Sequence, residues 1–163
     1  MTAVYHTQIE SPLGPLLMTM HHGQLTNVYM FQQKRVANIP LQSISDAGPF
    51  DLMIKQFDEY FSGDRREFDI SLRLDGTLFQ ISVWNELRKI PFGTTTTYGE
   101  IARRIGNPKA VRAVGLANGR NPIPIIIPCH RVIGTSGSLT GFGGGLENKS
   151  LLLELERGVK RWG

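Results

Sequence analysis

Cysteine is all but missing from this chain of 163 residues, which holds only Cys129. One thiol cannot close an internal disulfide, so Cys129 is expected as a free thiol in a reducing compartment. Paired metal-ligand spacing is missing as well: Cys129 with His6, His21, His22 and His130 makes no ligand set, and neither a metal nor another cofactor is expected. No apolar run approaches the ~20 residues that cross a bilayer. The opening residues from Met1, MTAVYHTQIE, lack the basic start and apolar middle of a signal peptide, and Met1 itself has no role at a site. These absences predict a cytoplasmic protein with no membrane partner. Internal repeats and low-complexity tails are absent too.

What is present is unevenly charged. The net charge of +4 hides a balance of −3 over residues 1–76 (6 Lys+Arg, 9 Asp+Glu) and +7 over residues 77–163 (12 against 5). Between Tyr98 and Arg131 stand Arg103, Arg104, Lys109, Arg112, Arg120 and Arg131 against the single acid Glu100. A positive field confined to one half points to a polyanionic partner such as nucleic acid; arginines scattered over a solvated face are the plainer alternative.

Hydrophobic periodicity reads as an α+β chain. HTQIESPLGPLLMTMHHGQLTNVYMF has the short alternating runs and Gly turns of an antiparallel meander, and Phe50, Met53, Ile54, Phe57, Tyr60 and Phe61 form one stripe of a helix ending before Gly63. FDISLRL reads as extended, and Asp75-Gly76 marks a boundary between a support domain, 1–76, and a second domain, 77–163. In the second, TLFQISVWNELRKI gives a helix, and two short helices at about Tyr98–Ile105 and Lys109–Asn118 flank Gly106-Asn107-Pro108, the outline of a helix-turn-helix. A last helix runs from about Leu146 to Arg157. The first half carries no catalytic motif.

The lone thiol sits in NPIPIIIPCHRV, after what reads as an isoleucine strand. A buried cysteine is usually inert; a nucleophilic one needs a base or a positive environment to become thiolate. His130 is adjacent, but neighbours on a strand point to opposite faces, so a water or a bend must connect them. An acid to orient the imidazole could come from Glu147, Glu154 or Glu156. The later GFGGG run lacks the Lys-Ser/Thr ending of a phosphate loop and reads instead as a wall whose missing side chains leave room for a planar ligand.

With these residues in view, the chain resembles the O6-alkylguanine-DNA alkyltransferases. GTLFQISVWNELRKIPFG, TTYGEIARRIGNPKAVRAVGLANGRNP, PCHRVIGTSGSLTGFGGGL and the closing LLLELE carry the resemblance, with SPLGPL as a weaker sign at the other end. It implies direct-reversal repair: Cys129 takes the alkyl group from O6 of a guanine, or from O4-alkylthymine, irreversibly and once per molecule. It also implies His130 as a base acting through water, Glu156 as its orienting acid, Tyr98 as proton donor to the leaving guanine, and Asn121 as a brace for the active-site turn. Arg112 is the implied finger entering the base stack, on a helix whose Ala110, Ala113, Gly115, Ala117 and Asn118 approach the minor groove, while Arg103, Arg104 and Arg120 meet phosphates. The pocket is expected from Tyr98, Val132, Phe142, Gly143 and Gly144. Phe142 stands where many members have tyrosine, so the pocket lacks one hydroxyl. The expected partner is double-stranded DNA bearing the lesion, met by a monomer. A lesion sensor, a cysteine hydrolase and a sequence-specific regulator are the competing readings.

Overall fold

The computed structural model describes residues 3–30, 39–137, 142 and 145–159. Met1, Gly143 and Gly144 lie outside them. Strands β1 (Val4–Ile9), β2 (Leu16–His21) and β3 (Gln24–Met30) form the expected antiparallel meander, and a two-residue β4 (Ile44–Ser45) joins β1 in parallel, giving the order β3-β2-β1-β4. His22 and Gly23 both take positive φ, 54° and 74°, as two-residue hairpin loops prefer. Helix α1 (Asp51–Phe61) buries the predicted stripe: Met53, Phe57, Tyr60 and Phe61 join Leu16, Met18 and Met20 of β2 and Leu25 and Val28 of β3 in one apolar cluster. FDISLRL forms no strand beyond a single bridge from Leu72 to Leu25. The Gln56 side chain ties it down instead, donating to the Asp69 carbonyl and accepting from the Asp69 N–H.

The second half opens with α2 (Leu78–Leu87), started by a capping box in which Thr77 accepts from the Gln80 N–H and Gln80 accepts from the Thr77 N–H. Helices α3 (Tyr98–Arg104) and α4 (Val111–Gly119) are the expected pair, α3 capped by the Thr97 hydroxyl and the turn eased by Gly106 at φ 80°. Helix α5 (Leu146–Glu156) closes the fold. Beyond the reach of periodicity, β5 (Thr96–Thr97) pairs in parallel with β6 (Val132–Ile133), so the start of α3 lies beside the chain leaving the cysteine. The apolar cluster of the first half continues without a break through Val83, Trp84, Ile101, Val114, Ile127 and Leu152. The Val28 N–H of β3 donates to the Pro122 carbonyl across the two halves at 2.9 Å.

The isoleucine run is not the strand its composition predicts. It is a buried, turned segment: the Ile127 N–H returns to the Ile123 carbonyl, and Ile125 sits at φ 76° although β-branched residues rarely enter that region. Three prolines in seven residues remove the donors a ladder needs, and burial on every side holds the turn.

Candidate active site

Asn121 builds the turn that presents the thiol. Its side chain donates to the Ile127 carbonyl (2.8 Å) and accepts from the Ile123 N–H (2.9 Å), closing the segment on itself. Pro128 follows at φ −80°, ψ 62°, and the Cys129 N–H reaches the Ile127 carbonyl at 2.8 Å, an inverse γ-turn. Cys129–Arg131 then form one turn of 3₁₀ helix, not extended chain. On such a turn neighbouring side chains stand about 120° apart rather than on opposite faces.

His130 is fully buried, and its Nε2 meets Glu156 Oε2 at 2.7 Å. Its Nδ1 is buried with no protein hydrogen-bond partner. Glu156 is the acid that α5 delivers, and Arg131 grips it twice, Nε to Oε1 at 2.8 Å and Nη2 to Oε2 at 2.9 Å, while Arg131 Nη1 donates to the Ile90 carbonyl. Burial pushes the Glu156 carboxyl up, but His130 and Arg131 outweigh it and hold the group well below the usual carboxylate range. Burial lowers the His130 imidazole, against the pull of Glu156, so the ring favours its neutral form. A neutral imidazole with Nε2–H on a carboxylate leaves Nδ1 free to accept a proton.

The thiol itself is raised by burial to about 11, with Asn121 and Lys149 pulling it back. Lys149 was not foreseen from the sequence. It lies fully buried on α5, its Nζ donates to the Val132 carbonyl, and desolvation lowers it to about 8 although Cys129 pulls it upward. Its Nζ also stands 6.0 Å from the centre of the Tyr98 ring. Tyr98, at the first position of α3, is half-buried beside Gly115 of α4. Among the described residues of the second half, no other ionisable side chain in this group escaped the sequence except Arg131, read there only as part of the basic field.

Residues 4–74 match the family model for the 6-O-methylguanine DNA methyltransferase ribonuclease-like domain, and residues 78–158 match the model for the same protein's DNA binding domain. The chain belongs to the 6-O-methylguanine DNA methyltransferase family. It is 49% identical over 153 residues to the methylated-DNA–protein-cysteine methyltransferase of Methanosarcina acetivorans, covering 94% of this chain and 98% of that one. The Mycobacterium bovis protein of the same name is 51% identical over 154 residues, with 94% and 93% covered. A crystal structure of Mycobacterium tuberculosis OGT in complex with DNA superposes with a TM-score of 0.90 at 49% identity, covering 96% of each chain.

Within this 6-O-methylguanine DNA methyltransferase family member, the expected DNA-facing residues divide. Arg112 and Ala113 lie exposed on α4 with Val111 and Leu116, and Arg120 is exposed at its end; Ala110 and Gly115 are half-buried. Ala117 and Asn118 differ from these in exposure. Both are buried: Trp84 Nε1 of α2 donates to the Ala117 carbonyl, and Asn118 Nδ2 reaches back to the Cys129 carbonyl at 3.4 Å. Arg103 and Arg104 are exposed on α3, both paired with Glu100. Val132 and Phe142 are buried, and no helix of the described residues is long and apolar enough to cross a membrane.

Proposed function

We propose that this protein repairs DNA by taking the alkyl group of an O6-alkylguanine onto Cys129 in a single irreversible transfer. The observation that carries this reading is a buried imidazole hydrogen-bonded to Glu156 and directly following the only thiol, in a chain of this family. A thiol raised to about 11 is protonated at neutral pH, so attack needs its proton removed as the bond forms. The proton passes from Sγ through a water to His130 Nδ1, with Glu156 stabilising the imidazolium. Sulfur attacks the alkyl carbon, the bond from that carbon to O6 breaks, and guanine leaves as Tyr98 returns a proton to it. The product is a thioether, which nothing in the site reverses, so one molecule performs one repair.

An O6 substituent lies inside the duplex, so the nucleotide has to be flipped out at a cost of a few kcal/mol. Arg112 on the exposed side of α4 fills the gap, Ala113 and Gly115 let the helix approach the minor groove, and Arg120 meets phosphate. The pocket is lined by Tyr98, Val132 and Phe142. The protein acts in the cytoplasm, on the nucleoid when bound. Intact-mass analysis after incubation with duplex DNA carrying O6-methylguanine tests the reading: one added methyl mass on the Cys129 peptide is expected, stopping at one equivalent. Folded protein that binds the lesion duplex without an adduct overturns it.

A further inference from the structure

Glu156 takes a further hydrogen bond, and its donor comes from the other half of the molecule. Tyr60, in the last turn of α1, donates its hydroxyl to Glu156 Oε2 at 2.6 Å. That is the same oxygen that receives His130 Nε2 at 2.7 Å and Arg131 Nη2 at 2.9 Å. Tyr60 is almost wholly buried and its ring packs edge-on to Phe92, which in turn lies under the guanidinium groups of Arg66 and Arg131. The phenol is therefore fixed, with its O–H aimed at Glu156 Oε2. Burial, then the Glu156 carboxylate, raises the Tyr60 phenol well above its ordinary value, so it stays a donor at every pH of interest.

We infer that Tyr60 is a positioning residue for the transfer reaction, contributed by the N-terminal half, which sets the proton affinity of His130 through their shared Glu156 oxygen. The inference rests on the reading of His130 and Glu156 as the relay. A donor on Oε2 spreads part of its negative charge into the O–H bond and leaves less to hold an imidazolium. The positive end of that O–H dipole also lies close to the imidazole edge that contacts Oε2. Both effects favour the neutral ring, the form that accepts the thiol proton. The other charged and titratable groups around His130 are Arg131 from the same turn, Lys149 and Glu156 from α5, and Cys129. Arg131 and Lys149 act in the same direction as Tyr60, and Glu156 acts against them. Unlike Arg131, Lys149 and Glu156, Tyr60 can be changed without removing a charge from the site.

The experiment is the single-turnover rate of transfer from O6-methylguanine duplex across pH for the full-length wild type and Tyr60→Phe, which keeps the ring. The acid limb of the variant is expected at higher pH, with about threefold slower transfer on its low-pH side and a plateau close to that of the wild type. An unmoved limb overturns the inference, and so does a uniform loss at every pH, which is what mere packing gives. Should the variant fail to fold, the wild type still decides. The Tyr60 hydroxyl proton is expected as a slowly exchanging low-field resonance whose position follows the titration of His130, and a resonance indifferent to that titration overturns the proposal. His130→Ala and Glu156→Gln separate the two levels: if both transfer at the wild-type rate, the relay reading fails, and if both are slow while Tyr60→Phe is unchanged, only the role of Tyr60 fails.

Discussion

Glu156 concentrates the chemistry and the stability of the site in one side chain. It is buried among donors from α1, the turn after α2 and the cysteine turn: Tyr60, the Gly93 N–H, His130 and Arg131. Replacing it by Gln removes the carboxylate that Arg131 holds, while the guanidinium stays buried. The expected cost is roughly 3–5 kcal/mol at about pH 7, because an uncompensated buried charge is left behind. The pH dependence has a definite sign. A carboxyl held below its ordinary range in the folded state stabilises fully above that range, and the contribution drains as pH falls through and beneath it. Urea midpoints of wild type and Glu156→Gln should therefore converge between about pH 7 and pH 3, since only the wild type has this term to lose. A constant gap over that interval contradicts the assignment. From the sequence, Glu147, Glu154 and Glu156 were equivalent until the family pattern chose among them, because a helix face says which residues turn inward only once its packing is known. Lys149 was invisible for the same reason: a lone lysine on a helix is ordinarily solvated.

Elements with strong periodicity were legible, and short ones fixed by tertiary contacts were not. The meander, α1, α2 and the paired α3 and α4 follow from apolar spacing and turn residues that agree with one another, whereas α5, which buries Asn148, Lys149 and Glu156 beside its leucines, was legible as a helix but not by its face. The isoleucine run misled because a short apolar stretch has no period of its own, and its path is decided by Asn121 and by burial, neither of which alternates. The β5-β6 pair, two residues each, lies beneath any sequence signal. Asp75-Gly76 was readable as a turn, but its closeness to α2 was not. A Cβ at Gly76 would lie 2.7 Å from two indole carbons of Trp84 and 2.9 Å from Gln80 Oε1. Trp84 is buried and bonded to the Ala117 carbonyl of α4, so it has little room to yield, and Gln80 is committed to the capping box. Gly76→Ala is expected to cost about 1–3 kcal/mol, read from urea midpoints. An unchanged midpoint shows that the indole moves aside freely, and the coupling of this turn to α4 then falls.

Across the whole molecule, the two halves divide charge but share the core and the hydrogen bonds around Glu156. From the first half, α1 brings the Tyr60 hydroxyl to the same Glu156 oxygen that His130 meets. The positive field of the second half is likewise less free than a residue count implies. Glu100, the one acid between Tyr98 and Arg131, engages both Arg103 and Arg104 on the exposed side of α3, and the contacts lower its own carboxyl and raise Arg103. Exposed pairs of this kind add little to folding stability, so the pairing matters more for what the arginines meet. If their side of α3 faces the duplex beside α4, Glu100 holds back two guanidinium groups from phosphate and adds a like charge to the backbone it faces. Glu100→Gln should then bind undamaged duplex more tightly, with a plot of log affinity against log salt steeper by about one to two units, because each of the two released guanidinium groups that meets a phosphate displaces about one condensed counterion. The melting temperature should barely move, and transfer from the lesion should keep its rate once DNA is saturating, since Glu100 lies outside the relay. Equal affinity and an equal slope in the two proteins place the duplex away from α3 and leave the exposed side of α4, with Arg112 and Arg120, to carry the contact.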